Sequence, residues 1–144
     1  MTPFGARLRS LRQARQVTLA ALAAQLQVSP AYLSALEHGR RGRPSPGLVH
    51  QVCEFFGLIW DDAEELAQLA RLSHPRVTVN TAGLLPEQTA LANRIAQSIH
   101  SLSPETIAAM HGLLDATAPA AKPRLRRRAA SRAGSAERET IKPR

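Results

Sequence analysis

The sequence predicts an all-α fold, and three observations carry that expectation. Apolar residues recur at three- and four-residue spacing along most of the chain, as one face of a helix requires. Only five aromatic residues are present (Phe4, Tyr32, Phe55, Phe56 and Trp60), so the core must be built from Leu, Ala, Val and Ile. Leu and Ala favour helix over strand. Finally, a serine followed directly by proline recurs at Ser29-Pro30, Ser45-Pro46 and Ser103-Pro104. Serine is a good helix N-cap, and proline suits the first helical position.

Each element follows in chain order. Phe4, Leu8 and Leu11 place an amphipathic first helix near residues 3–15, with arginines on its other faces. Thr18 caps a second helix whose inner face is Leu22, Ala23 and Leu26. Gln27-Val28-Ser29-Pro30 is a break, and a third helix runs from there to about His38 with Leu33 and Leu36 facing in. Gly39 ends it, as a left-handed C-terminal glycine does. Arg40-Arg41-Gly42-Arg43-Pro44 is a loop. A fourth helix opens at Ser45-Pro46 and carries Leu48, Val52, Phe55 and Phe56. Asp61 or Asp62, with Glu64 or Glu65 three residues on, suggests a capping-box start to a fifth helix ending near Ser73.

The second half is less regular. Val77-Thr78-Val79 alternates as a strand does. Residues 76–80 are therefore either a strand awaiting a partner in a second copy or an extended linker. Leu84-Leu85-Pro86 leads into a helix with Leu91, Ile95 and Ile99, and Ser103 opens a last one with Ile107, Met110 and Leu114. From about Ala116 the composition turns to Ala, Pro, Arg and Ser without apolar periodicity, which predicts a disordered basic tail. The expected organisation is a first domain over 1–74, a helical extension over 75–115 that could dimerise, and a tail over 116–144.

The net charge of +8 is unevenly spread: +6 over residues 1–43, −5 over 44–115 and +7 over 116–144. Two basic regions around an acidic middle point to a polyanionic partner such as nucleic acid. The competing reading is a basic tail that serves solubility alone. Cys53 is the single cysteine and can form no internal disulfide. With no signal-peptide pattern and no apolar run near the roughly 20 residues of a membrane span, it suggests a cytoplasmic, nucleoid-associated protein without a membrane partner.

The stretch Phe4 to Leu58 resembles the lambda-repressor-like helix-turn-helix domain of the XRE family of bacterial regulators. The most specific segment is Val28-Ser29-Pro30-Ala31-Tyr32-Leu33-Ser34-Ala35-Leu36-Glu37-His38-Gly39. The resemblance implies a five-helix DNA-binding domain, followed here by the two-helix extension. It departs from the family at Gln27, where glycine commonly takes a left-handed turn, at a cost of about 1 kcal/mol. It also implies that Glu37 pairs with an arginine of the first helix, here Arg12, in place of reading cytosine.

The physical case stands beside the resemblance. Ala23 is small where two helices must cross, and Leu33 and Leu36 anchor the third helix to the core. That leaves Ser29, Pro30, Ala31, Tyr32, Ser34, Ala35 and His38 as base-contacting candidates on a helix able to enter a major groove. Thr18, Arg40, Arg41 and Arg43 are the phosphate-contacting candidates. An ordinary helical bundle without a ligand is the bland alternative.

Other chemistries find little support. His50 and Cys53 sit at i, i+3, but two ligands make no structural zinc site, and His38, His74, His100 and His111 lack ligand spacing. No metal or cofactor is expected. There is no Gly-rich phosphate loop and no nucleophile elbow. The only lysines, Lys122 and Lys142, lie in the tail, so a Ser-Lys self-cleaving centre has no lysine in the folded part. No catalytic residue is assigned, and no small-molecule effector is legible. The expected function is transcriptional regulation by sequence-specific binding of double-stranded DNA as a homodimer. The alternative is an antitoxin-type interaction module of a toxin–antitoxin pair that also binds DNA. Single-strand or RNA binding would need stacking platforms, and only Tyr32 offers one.

Overall fold

The computed structural model describes residues 1–118. Among them are seven α-helices: α1 (Pro3–Ala14), α2 (Leu19–Gln25), α3 (Pro30–Glu37), α4 (Pro46–Phe56), α5 (Asp61–Arg71), α6 (Pro86–Ser98) and α7 (Pro104–Thr117). A 3-10 turn, Ile99–Ser101, continues α6. The described residues contain no strand, so the fold is all-α, a helix-turn-helix domain with a helical extension. The chain divides into two units between Leu84 and Leu85.

Helix starts in the first unit follow local side-chain chemistry. Thr2, Thr18, Ser29 and Ser45 each accept a backbone N–H of the first turn, from Gly5, Ala21, Tyr32 and Leu48. Helix ends follow one repeated geometry. After α1, α2, α3 and α4 the chain turns left-handed at Gln16, Gln27, Gly39 and Gly57. In each case two orphan carbonyls of the last turn are recovered; after α2, Gln27 N–H donates to Ala24 and Val28 N–H to Ala23. Gln27 therefore has the positive φ of 55° that the resemblance implied, and Gln16 has the same value.

The start of α5 differs from expectation. Trp60, not an aspartate, occupies the cap position, at φ 53° and with no side-chain cap bond. Asp61, Asp62 and Glu64 lie one step further in, within the first turn. There they oppose the positive end of the helix dipole without serving as caps.

The core of this unit gathers Phe4 and Leu8 of α1, Leu22 and Ala23 of α2, Leu33 and Leu36 of α3, Val52 and Phe56 of α4, and Leu66 and Ala70 of α5. Two contacts fix how α1 lies on its neighbours. A Cβ on Gly5 would overlap the backbone of Glu37, so glycine is what lets α1 and the end of α3 approach. The buried Ser73, just past α5, accepts the Phe4 N–H at 2.8 Å and donates to the Leu69 carbonyl. Both backbone groups would otherwise be orphans at helix ends.

Residues 76–80 form no strand within the chain. Val77 and Val79 are both exposed, and a lone alternating segment has no ladder to hold it. The second unit is different again. Ser103 caps α7, and Gln88 reaches back to accept the Leu85 N–H at the start of α6. Yet neither helix buries a single residue. Ala116 and Thr117, expected in the tail, close α7; from residue 119 the expected tail lies outside the described residues.

Candidate nucleic-acid interface

The site is built on α2, the break after it, and α3. Leu26 to Ser29 form the four-residue break, and the chain direction turns by 111° across it. Crossings of 90–120° over such a turn define the helix-turn-helix motif. Ala23, buried at the crossing, has no bulk to hold the helices apart. Leu33 and Leu36 tie α3 down from below.

An ion pair fixes the far end of α3. Arg12 Nη2 lies 3.2 Å and Nε 3.3 Å from the same Glu37 oxygen. The Glu37 side chain is only 4% exposed and that of Arg12 13%. A further Arg12 N–H donates to the Val17 carbonyl, and Thr2 N–H donates to the Glu37 carbonyl at 2.9 Å. Glu37 is thus occupied on both its side chain and its backbone.

The remaining candidates on α3 divide by exposure. Ser29, Pro30, Ala31 and His38 are exposed, whereas Tyr32, Ser34 and Ala35 are half-buried. The Tyr32 ring packs against the core and borders a shallow groove with Val28, Leu48 and Gln51. Ser29 Oγ already accepts the Tyr32 N–H, which leaves its hydroxyl proton and one lone pair. His38 turns its Nδ1 to the Ser34 carbonyl at 2.9 Å, which leaves Nε2 for another partner.

The seven arginines of residues 1–43 separate into two sets, a division that charge and spacing alone did not reveal. Arg7 pairs with Glu65, Arg12 with Glu37, and Arg15 donates to the Phe56 carbonyl while stacking over the Phe56 ring. Arg12 and Arg15 hold the fold together through buried partners, and Arg7 adds a solvent-exposed pair between α1 and α5. Arg9, Arg40, Arg41 and Arg43 are exposed and have no acidic partner among the described residues. Arg9 is the exposed cation that sequence reasoning missed. Spacing along α1 gives no signal for it, since Arg15 is exposed as well and differs only in reaching the Phe56 carbonyl. Thr18, the fourth phosphate candidate, is exposed, with its Oγ1 accepting the Ala21 N–H at 3.1 Å.

Other chemistry is sparse here. Cys53 is buried, and burial pushes its thiol pKa up, away from the reactive thiolate. Among the described residues no three His, Cys, Asp or Glu side chains gather as a metal site. No single helix among them is long and apolar enough to cross a membrane.

These features define a helix-turn-helix domain, and residues 3–69 match the family model described as a helix-turn-helix domain. The XRE-type resemblance of α2 and α3 is consistent with that match. Two relatives from Bacillus subtilis (strain 168) are similar to the chain. The uncharacterized HTH-type transcriptional regulator RghRB is 42% identical over 52 residues, 36% of this chain and 37% of that protein. The HTH-type transcriptional repressor RghR is 41% identical over 54 residues, 38% of this chain and 40% of that one. The similarity thus spans well under half the length of either relative. No solved structure matches the chain.

Proposed function

We propose that this chain is a transcriptional regulator that binds double-stranded DNA sequence-specifically, with α3 in the major groove. One observation carries the reading: α2 and α3 cross at 111° over a four-residue break, leaving an outer face of small residues that lets α3 approach base edges. The relatives support regulation as the outcome, one of them being a repressor by name. The activity is binding, not catalysis, and its place is the cytoplasmic nucleoid.

Roles follow from side-chain chemistry. Pro30, Ala31 and Ala35 can make no bidentate hydrogen bond to a base. Ser29, Tyr32, Ser34 and His38 supply direct readout, with alanine methyls against thymine methyls. Discrimination is accordingly modest and draws on DNA shape. Thr18, Arg40, Arg41 and Arg43 hold phosphates.

The regulator works as a homodimer. One α3 covers only a few base pairs, and two must stand about 34 Å apart to enter successive grooves. The second unit supports this, because α6, the 3-10 turn after it and α7 bury nothing and expose Leu91, Ile99, Ile107, Leu113 and Leu114. The same exposed residues favour the antitoxin reading, in which a different small protein covers them; co-purification of such a partner with the intact chain would select it.

Phosphate binding is tested by salt. Replacing Arg40, Arg41 or Arg43 with alanine weakens binding by a similar factor on all sequences. Each phosphate left without its arginine lowers the slope of log affinity against log salt by about 0.9. Three variants with the parental slope would refute this arrangement.

A further inference from the structure

One surface of the first unit involves none of the α3 residues proposed to read bases, although its Pro46–Val49 end also borders Arg43. Between α4 and α5 runs an open groove of about 780 Å³ lined by Val49, Cys53, Leu58, Ala63 and Ala67. Ile59 and Trp60 stand at its edge, 65% and 83% exposed. Trp60 is the single tryptophan of the chain, and among the described residues no cation lies over its ring. Glu54 lines the same groove beside His50, whose Nε2 lies 3.4 Å from its carboxylate, and Asp61 and Asp62 follow Trp60 directly. Neither aspartate has a basic partner among the described residues.

Charge selects what can cover such a surface. Duplex DNA is repelled by it. A second copy meeting the same face two-fold would set Glu54, Asp61 and Asp62 against their own images. A fitting occupant carries cations for the carboxylates and the indole face, together with a small apolar group for the groove. An aromatic ring flanked by carboxylates is a good receiver for arginine, which stacks and forks hydrogen bonds at once. The chain contains one segment of that chemistry outside the described residues. Residues 122–128 read Lys-Pro-Arg-Leu-Arg-Arg-Arg, five cations around Pro123 and Leu125.

We propose that the Ile59–Trp60 shoulder is a docking surface for the basic C-terminal segment of a second copy of this chain. Arginines of the 122–128 run stack on Trp60 and pair with Asp61, Asp62 and Glu54, and Leu125 enters the groove beside Cys53 and Ala63. This goes beyond the DNA reading and does not depend on it. The consequence is a basic segment shared between an acidic protein surface and any polyanion.

Trp60 reports on the site directly, since all tryptophan emission comes from it. A synthetic peptide of residues 119–144 is titrated into the full chain at low salt and submicromolar protein, without DNA. A saturable blue shift is expected, weakened at least tenfold in affinity by Asp61→Asn with Asp62→Asn. Substituting Leu125→Ser in the peptide weakens it further, and concentrating the full chain alone reproduces the shift. No change in emission at hundreds of micromolar peptide overturns the proposal. Equal affinity for the double aspartate variant, or for the Leu125→Ser peptide, overturns it as well. An emission spectrum independent of chain concentration removes the second copy as the source.

Discussion

The two units of this chain are written in the same local language and end differently. Both are runs of Leu- and Ala-rich helices, and both use serine before proline to start a helix. In the first, five helices enclose a core in which Phe4, Leu8, Leu22, Leu33, Val52 and Leu66 are completely buried. In the second, two helices of comparable length bury nothing. Apolar periodicity specifies that a segment can be a helix and which face it will hide. Whether the face is hidden depends on how many partners the chain supplies. Five helices supply enough, whereas two leave their apolar faces exposed.

The difference can be broken from the first unit. Replacing Arg12 with alanine strands a carboxylate that is 4% exposed, and stability should fall by about 3–5 kcal/mol in chemical denaturation. A drop under about 1 kcal/mol would mean that Glu37 finds water or another partner. Next in size is a matched pair of truncations. Leu33→Ala should cost about 3 kcal/mol, because Leu33 is completely buried, and the cavity cannot collapse. Leu91→Ala in the second unit should stay within about 0.5 kcal/mol for the monomer. A larger Leu91 effect that grows with protein concentration would sharpen the comparison, since it would show the second unit borrowing its core from another copy.

Smaller effects probe backbone fit. Gly5→Ala should destabilise by about 2–3 kcal/mol, since the added methyl meets the Glu37 backbone, which cannot swing aside as a side chain can. A thermal melt showing parental stability would mean that α1 and α3 can slide apart freely. The smallest change has the opposite sign. Gln27→Gly should stabilise by about 0.5 kcal/mol, the left-handed strain relieved being partly offset by the flexibility glycine adds to the unfolded chain. Measured destabilisation there would show that the Gln27 side chain does something its exposure conceals.

Much of the first unit was legible because its signals are local. Thr18, Ser29 and Ser45 each act within three residues, through one hydroxyl and one backbone N–H, so a short window of sequence contains both partners. Gly39 is legible for the same reason. The left-handed turn at Gln27 was visible only through the family resemblance, and that at Gln16 was not visible at all, because glutamine carries no mark of positive φ. The capping-box pattern at Asp61 or Asp62 misled by one position; the acids suit the first turn whichever residue precedes them, and Trp60 took the cap. At the candidate interface, the exposed face of α3 followed from the spacing of Leu33 and Leu36. Tyr32 proved half-buried because Val28 and Leu48, from two other segments, lie beside it.

By itself the sequence determined where the helices capped by Thr18, Ser29, Ser45 and Ser103 start, which faces are apolar, and that α2 and α3 are joined as a helix-turn-helix. Each of these is settled by interactions within a few residues, where chain connectivity already holds the partners together. Only the tertiary structure decided that Gly5 is a point of backbone approach, that Ser73 finishes the start of α1, and that Arg7 and Arg15 join Arg12, whose pairing with Glu37 the resemblance implied, in serving the fold while Arg9, Arg40, Arg41 and Arg43 do not. Those assignments join residues 25 to 69 positions apart, and an arginine is the same letter whether its partner is a buried glutamate or solvent. Charge and hydropathy are properties of a residue, but pairing and burial are properties of a place.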